Sequence, residues 1–443
     1  MAQPPGAAGE GLALRIEKLF AARDAATLGA ALRHRFGDAA GTQRVHQLVD
    51  FVLRADALVP AALAITDEDQ LFLANIAEVK RRLLSGTKPY EEGRDGSYHR
   101  VGGNYDFLGA DHGRSPDQWS MLQLLNYLTM QRLTPGRQSA VVTSMRDDGI
   151  VLLEWIAHYR ALGFDAIFIY SNDNEDGSTE LLRHLADLGE ITFLENFTSV
   201  NHEIKVCEHA LQFLIELRDF EWVLFVDSDE FLVPSAIFGA SIRNILDAVG
   251  RDFPEQPPAA VIYNWKVFVS GADYARRPGL LLERYQYSYA EPHVKTLARL
   301  SAVYSMRLNH VPDLKPTGFC VDSALRPIDH PGPICQKPPE YGGGQINHYW
   351  TRSFEEYSLK KARGDRAPSD APLFRRSFGK FFEWNAPERS GMSNEGSIGF
   401  EPPPEELVRR VRAQRDRLEL LPGVAARLAE IEDNFPRLLA RFD

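Results

Sequence analysis

The sequence predicts an α/β fold: a mostly parallel central sheet flanked by helices, with a helical N-terminal extension and a helical C-terminal tail. Three observations carry this. The first is a set of short, uninterrupted apolar runs, Ala140-Val141-Val142, Ala166 to Tyr170 and Trp222 to Val226, the pattern of strands covered on both faces. The second is the punctuation of the helix-length segments between them. Asp148 stands before a segment ending at Leu162 and Gly163, and Asp176-Gly177-Ser178 opens one ending at Leu188 and Gly189, as start and stop residues do. The third is the alternation itself, whose spacing suits βαβ units and a parallel sheet.

Taken in order, residues 11 to about 86 read as helices: Val45, Leu48, Val49, Val52 and Leu53 repeat at the spacing of one helix face. Residues 87 to about 115 are broken by Gly93, Gly96, Gly102, Gly103 and Gly109 and read as loop. A helix near Gln118–Gln131 leads to Pro135-Gly136, a boundary that sets residues 1–135 apart as the N-terminal extension. The α/β domain then spans 136–400 and the tail 401–443. Within the domain follow a strand at Ile191–Leu194, a helix at Val200–Leu217, and strands at Ala259–Val269, Leu280–Tyr287 and Thr296–Leu300. Gly342-Gly343-Gly344 precedes a strand-like run to His348, and Ser353 with Glu356 has the spacing of a capping box for a helix carrying Lys360 and Lys361. Arg409, Arg410, Arg412, Arg415 and Arg417 make the tail basic. They read as a solvated helix face, with peripheral membrane contact as the alternative.

Composition narrows the function classes. The 443 residues are 44% hydrophobic and 25% charged, with a formal charge of −11. That balance opposes nonspecific nucleic-acid binding. Cys207, Cys320 and Cys335 include no CxxC pair and cannot all form disulfides, which suits a reducing compartment. The first residues lack a basic segment followed by an apolar run, and no apolar stretch has the length of a transmembrane helix. The expectation is a cytoplasmic protein. Neither a G-x-x-x-x-G-K-[ST] loop nor a G-x-G-x-x-G after a strand occurs, which sets aside P-loop NTPases and Rossmann dehydrogenases.

In an open parallel sheet, ligands bind beyond the carboxyl ends of the strands. Three polar clusters fall there: Thr143 to Asp148, Ser171 to Asp176, and Asp227-Ser228-Asp229-Glu230. Asp227 and Asp229 after an apolar strand suit a divalent cation shared with a diphosphate, or else a solvated acidic turn. Asn172 and Asp173 suit a base or ribose edge, or the cap of the next helix. His348 is a third metal ligand or a buried imidazole bonded to backbone. The three glycines before it permit close approach of a ligand. Tyr285, Tyr287, Tyr289 and Trp265 are a platform for sugar faces or ordinary core.

Residues 139 to about 364 resemble the glycosyltransferase family 2-like and family 92-like enzymes. LLEWIAHYRALGFDAIFIYSNDNEDGSTELL, FVDSDEFL, EPHVKTLAR and INHYWTRSFEEYSLKKARG are similar to four of their motifs, in the same order. The resemblance implies the GT-A fold and transfer of a sugar from a nucleotide-diphosphate donor to a glycan or lipid-linked acceptor, with Mn²⁺ or Mg²⁺ as cofactor. On it, Asp227, Asp229 and His348 hold the metal, and Arg146, Asn172, Asp173, Asp227, Lys295 and Arg352 contact the donor. The family's K-N-E reads Arg146-Asp147-Asp148 here, keeping one cation and one acid. Glu283, Glu291 and His293 are the candidates for the base that takes the acceptor proton. Two other classes stay open. A phosphatase of the haloacid dehalogenase type expects Gly-Thr where Glu230-Phe231-Leu232 stands, and a catalytically silent saccharide- or nucleotide-sugar-binding protein would bind donor without turnover.

Overall fold

The computed structural model describes residues 91–92, 99–101, 135–171, 174–196, 206–207, 210–211, 214–271, 273–305, 309–314, 318–329, 338–362, 377–385 and 398–441. The helices expected before residue 87 and near Gln118, most of Val200–Leu217, and Asn172, Asp173 and Cys335 lie outside the described residues.

The apolar runs form the centre of the sheet. β3 (Arg137–Met145), β4 (Ala166–Ser171) and β6 (Phe220–Phe225) are buried along nearly their whole length. With β2 (His99–Val101) and β5 (Thr192–Asn196) they form the parallel block β2-β5-β4-β3-β6. β1 (Glu91–Glu92) pairs antiparallel to β2 at the edge. Residues read as glycine-broken loop thus carry two short strands. Pairing with a neighbouring edge selects extended backbone that local sequence does not.

Chain order reverses at β3: β4 and β5 lie on one side of it and β6 on the other. That is a topological switch point, where the strand ends splay and leave a crevice. Beyond β6 the sheet turns antiparallel through β9 (Tyr287–Arg299) and β8 (Ala260–Val269). β14 (Gly344–His348) runs between β8 and β7 (Glu230–Pro234).

Two strand readings are corrected here. Leu281–Arg284 is a single helical turn, because Glu154 accepts the Leu281 amide at 2.7 Å and winds the segment. The strand placed at Thr296–Leu300 starts nine residues earlier and passes through Pro292. Proline survives there because the β8–β9 register shifts between Asn264 and Trp265, and a bulge needs no ladder bond at the extra residue. Asn264 Nδ2 donates to the Pro292 carbonyl at 2.9 Å and fixes it.

α1 (Gly149–Leu162) and α2 (Ser178–Asp187) lie where expected, and Gly163 and Gly189 take the positive φ of helix ends, 89° and 73°. Asp148 occupies the N-cap position of α1 but makes no cap bond. Asp176 does that work from across the chain, accepting the Gly149 amide at 2.7 Å and the Ser178 amide at 2.9 Å. One carboxylate thereby neutralises two helix starts. Twelve of the fourteen residues of α1 are buried, so it needs cover on the side away from the sheet.

The tail supplies it. α7 (Glu405–Glu419) packs along α1 through Leu407, Val411 and Leu418, and α8 (Val424–Leu439) packs on α1 and α2 through Val424, Ile431 and Phe435. Each fully buried aliphatic side chain is worth roughly 1.5–3 kcal/mol. The basic residues lie on the outer, solvated face of this helix, Arg409 and Arg412 at 74% and 62% exposed, and they also tie the tail to the domain. Arg410 donates to the Ala240 carbonyl, Arg412 pairs with Glu283, and Arg417 makes a two-pronged bond to Glu190 at 2.7 Å. Arg409 and Arg415 pair with Glu406 and Glu419 on their own helix. No helix among the described residues is long and apolar enough to cross a membrane.

Candidate active site

The acidic turn after β6 is held in place by one face of α1. Trp155 Nε1 donates to the Asp227 carbonyl at 3.2 Å, the Tyr159 hydroxyl to the Glu230 carbonyl at 3.0 Å, and His158 Nε2 to the Leu232 carbonyl at 2.8 Å. His158 is neutral: burial brings its pKa down to about 4. Trp155, His158 and Tyr159 are spaced to share a helix face. The E-W-x-x-H-Y pattern thus has a structural cause: it fixes the backbone on which Asp227 and Asp229 stand.

Around that turn the chain gathers cations from separate segments. Lys295, fully buried on β9, donates to Asp227 Oδ2 at 2.9 Å and lies 3.1 Å from Glu230. Asn309 Nδ2 donates to the other Asp227 oxygen at 2.9 Å. α5 (Phe354–Ala362) sends Lys360 to Asp229 Oδ2. His348 Nε2, at the end of β14, lies 3.6 Å from Asp229 Oδ1, and its Nδ1 is buried without a hydrogen-bond partner among the described residues. At the switch point itself Ser228 donates to Asp148 at 2.6 Å, and Arg352 donates to the same carboxylate at 3.1 Å.

The electrostatics follow from this packing. Burial alone would raise the Asp229 carboxyl, but Lys360, His348 and Arg352 hold it well below the usual range. Burial opposes ionisation of Asp227 too, and Lys295 more than offsets it. Burial drives Glu230 well above the carboxylate range despite Lys295, with the charges of Asp227 and Asp229 adding to the rise. Two ionised carboxylates, a protonated Glu230 and a His348 whose burial lowers its pKa thus share the site. Asp227 keeps 24% of its side chain exposed, so the cluster opens to solvent on that side.

A second group lies against the first. The β9 bulge at Pro292-His293 swings His293 out beside Trp265, where the rings stack at 4.8 Å. Glu291 accepts from His293 Nδ1 at 2.7 Å. Trp265 also contacts His348, with ring centroids 4.2 Å apart. Glu291, His293, Trp265 and His348 are therefore one constellation. Glu291 is buried and the imidazole partly exposed, at 3% and 23% of their side chains.

Of the candidates read from sequence, Asp227, Asp229, Lys295 and His348 come together, with Arg352, Glu291 and His293 adjoining. Arg146 lies 3.6 Å from Asp147 and lines a neighbouring cavity. Glu283 is not brought in; its carboxylate pairs with Arg412 of the tail. Asn172 and Asp173 lie outside the described residues. Tyr285 is buried and donates to Glu356, and Tyr287 is an exposed partner of Phe400; neither contacts the cluster. Gly343 and Gly344 serve the fold rather than a ligand. A Cβ on Gly343 would stand 1.5 Å from the Ser323 carbonyl oxygen, and one on Gly344 2.7 Å from that of Val233.

Residues 148–324 match the model of glycosyltransferase family 92. The protein is family 92-like over that stretch, and by that match a glycosyltransferase. The matched segment holds Asp148, the acidic turn, Glu291, His293, Lys295 and Asn309; His348, Arg352 and Lys360 lie beyond it. No curated protein matches the sequence. Among solved structures, TarS 1-349 from S. aureus is similar at 11% identity, covering 69% of this chain and 91% of that one, with a TM-score of 0.25. The same protein in complex with UDP aligns at 10% identity over the same shares, with a TM-score of 0.26. TM-scores of this size are too low to define a shared fold.

Proposed function

We propose that this glycosyltransferase moves a sugar from a nucleoside-diphosphate donor to an acceptor hydroxyl, on a glycan or a lipid-linked saccharide, at the Asp227–Asp229 cluster. The observation that carries the proposal is the convergence at one switch point. Two ionised carboxylates meet Lys295, Lys360 and Arg352, drawn from three other segments, in a site open beside Asp227. Cationic side chains beside such carboxylates are what a departing diphosphate needs.

Asp227, Asp229 and His348 are the residue types that would hold Mn²⁺ or Mg²⁺, but the carboxylate oxygens are engaged by Lys295, Asn309 and Lys360, and among the described residues no three acidic, histidine or cysteine side chains form a ready-made metal site. When bound there, the metal supplies neutralisation of charge on the diphosphate. Lys295 and Lys360 orient the two carboxylates, and Arg352 braces Asp148 against Ser228.

Acceptor activation falls to His293. Glu291 orients the imidazole through Nδ1, leaving Nε2 to accept the hydroxyl proton, the arrangement of a carboxylate-held general base. The acceptor oxygen then bonds to the anomeric carbon as the nucleoside diphosphate leaves, while the buried Trp265 ring, stacked on His293, holds the imidazole in place. The test is turnover of a nucleotide-sugar panel against saccharide acceptors, with Mn²⁺, with Mg²⁺ and with excess chelator. One donor turned over only with metal, and lost in Asp229→Asn, is the expected result. Phosphate release from small phosphomonoesters instead would overturn it.

A further inference from the structure

The helix α6 (Phe378–Asn385) is apolar on two faces, and only one of them is covered. Phe381 and Trp384 turn inward, 4% and 8% exposed. Trp384 packs on Val267, Val269 and Tyr289 of β8 and β9, and Asn385 accepts the Ser270 amide at 2.8 Å. That inner face seats the helix. Phe378 and Phe382, one turn apart, point out and keep 45% and 63% of their surface in solvent. A surface helix ordinarily carries polar residues there.

The exposed rings are not isolated. Phe354 of α5 lies 5.2 Å from Phe378 and 6.2 Å from Phe382 between ring centroids, and Tyr274, itself exposed, stacks on Phe354 at 5.0 Å. Tyr287 stands opposite Val269 in the β8–β9 ladder, on the sheet face that Trp384 covers, and Phe400 pairs with Tyr287. Every exposed large aromatic side chain among the described residues is therefore on or beside α6. Exposed apolar side chains gathered in this way mark an interaction surface.

Charge identifies the partner. The Lys361 ammonium lies 4.9 Å from the centroid of the Phe378 ring. Between residues 361 and 385 the sequence carries six Lys or Arg against three Asp or Glu, in a chain whose formal charge is −11. The same face on a second copy would bring like charges together. Phenylalanine offers a saccharide no hydrogen-bonding group. Aromatic rings rimmed by cations are instead how a protein lies on an anionic membrane.

We propose that this face docks on an anionic lipid bilayer, with Phe378 and Phe382 entering the headgroup boundary and Lys361 meeting lipid phosphates. The contact lies at the aromatic helix and not at the tail arginines, which pair with acids. It goes beyond the function above and does not depend on it. Successive residues of α5 serve the two places: Lys360 reaches Asp229, and Lys361 reaches this face. Docking thus brings the Asp229 cluster beside the lipid.

The test is flotation of the full chain with vesicles of phosphatidylcholine alone, and with roughly 30% phosphatidylglycerol added. Wild type, Phe378→Ser/Phe382→Ser, Lys361→Glu and Leu420→Ser are compared; Leu420 is an exposed control site on the tail. Wild type floats with the anionic vesicles, far less with phosphatidylcholine, and less as salt is raised. The double variant and Lys361→Glu each lose about tenfold or more in partitioning, with melting temperatures unchanged, and Leu420→Ser binds as wild type. No flotation of wild type, or equal flotation of the double variant, overturns the proposal. So does a dimer, seen by light scattering, that the double variant dissolves without any vesicle binding, which makes the face a self-association surface. Calorimetric binding of maltohexaose, lost in the double variant while vesicles are ignored, overturns it in favour of a saccharide platform. Transfer to a soluble acceptor is the same in wild type and the double variant, so failure of docking leaves the proposed function standing, and an inactive chain that floats leaves docking standing.

Discussion

Lys360 is the residue whose removal separates the cluster's charges most cleanly. Its ammonium and the Asp229 carboxylate are both buried, 5% and 7% exposed on their side chains. Replacing it by Met keeps the length of the stem and leaves Asp229 with His348, which is neutral, and with Arg352, which is already bound to Asp148. Removing one partner of a buried ion pair costs about 3–5 kcal/mol, because the other charge stays behind. At the midpoint slope of a domain this large, that is a fall in Tm of roughly 6–15 °C. On the proposed function, a divalent cation at Asp227, Asp229 and His348 would replace the missing charge. At a hundredfold excess over its Kd it returns about 2.7 kcal/mol. The assay is thermal unfolding of wild type and Lys360→Met with and without Mn²⁺, no nucleotide present. The variant melts lower and Mn²⁺ raises it more than it raises the wild type. Equal melting temperatures without metal, or equal shifts with it, would refute the charge accounting.

Asp229→Asn keeps the shape of the turn and removes an ionised ligand, so donor turnover falls at least about a hundredfold with little change in the circular dichroism spectrum. His293→Ala loses about 10²–10⁴ in kcat; Glu291→Gln loses less, and added imidazole restores turnover to His293→Ala and not to Glu291→Gln, which distinguishes proton transfer from orientation. Burial raises the Glu154 carboxyl to about 7, opposed by Arg284. A raised folded pKa contributes stability that is complete below the unfolded value of 4.5 and lost as pH rises toward 7, on the order of 3 kcal/mol over that interval. Glu154→Gln can still accept the Leu281 amide, so denaturant titrations of that variant lack this decline and show it more stable than wild type at pH 8. Gly343→Ala drives a methyl into the Ser323 carbonyl, and its unfolding free energy from denaturant titration falls by more than the roughly 1–3 kcal/mol of ordinary overpacking.

How much of this was legible in the sequence depends on whether the cause was local. β3, β4 and β6 were readable because strands buried on both faces need unbroken apolar runs, and the acidic turn followed from the rule about strand ends. The capping box at Ser353 and Glu356 was local too, and its two reciprocal bonds form as expected, each at 3.2 Å. Asp148 was misread as a cap because its sequence position is that of one. Its carboxylate instead answers Ser228 and Arg352, 80 and 204 residues away, and Asp176 takes its place. Leu281–Arg284 was misread as strand because the signal for its helical turn is Glu154, 127 residues earlier. Lys360 had a readable clue, a lysine seven residues into a capped helix just after His348. Asn309 had none, since a lone asparagine in a loop carries no pattern. The role of Glu283 failed for the same reason. Its partner Arg412 is an exposed residue of the tail 129 residues later, a pairing that no local pattern announces.

The charge balance of the cluster argues for how its ligands arrive. Asp227 and Asp229 carry two negative charges and Lys295 and Lys360 two positive ones, while Glu230 is protonated and His348 neutral. Arg352 and Asp148 cancel one another. A divalent cation entering alone would leave two uncompensated positive charges in a largely buried site, and a diphosphate entering alone would leave its own negative charge unmet. Either costs several kcal/mol per buried ion. Entering together they cancel. On the proposed function, metal and diphosphate would therefore bind with positive coupling, each raising the affinity of the other by the same factor. The two lysines keep the empty site neutral and folded until both are present.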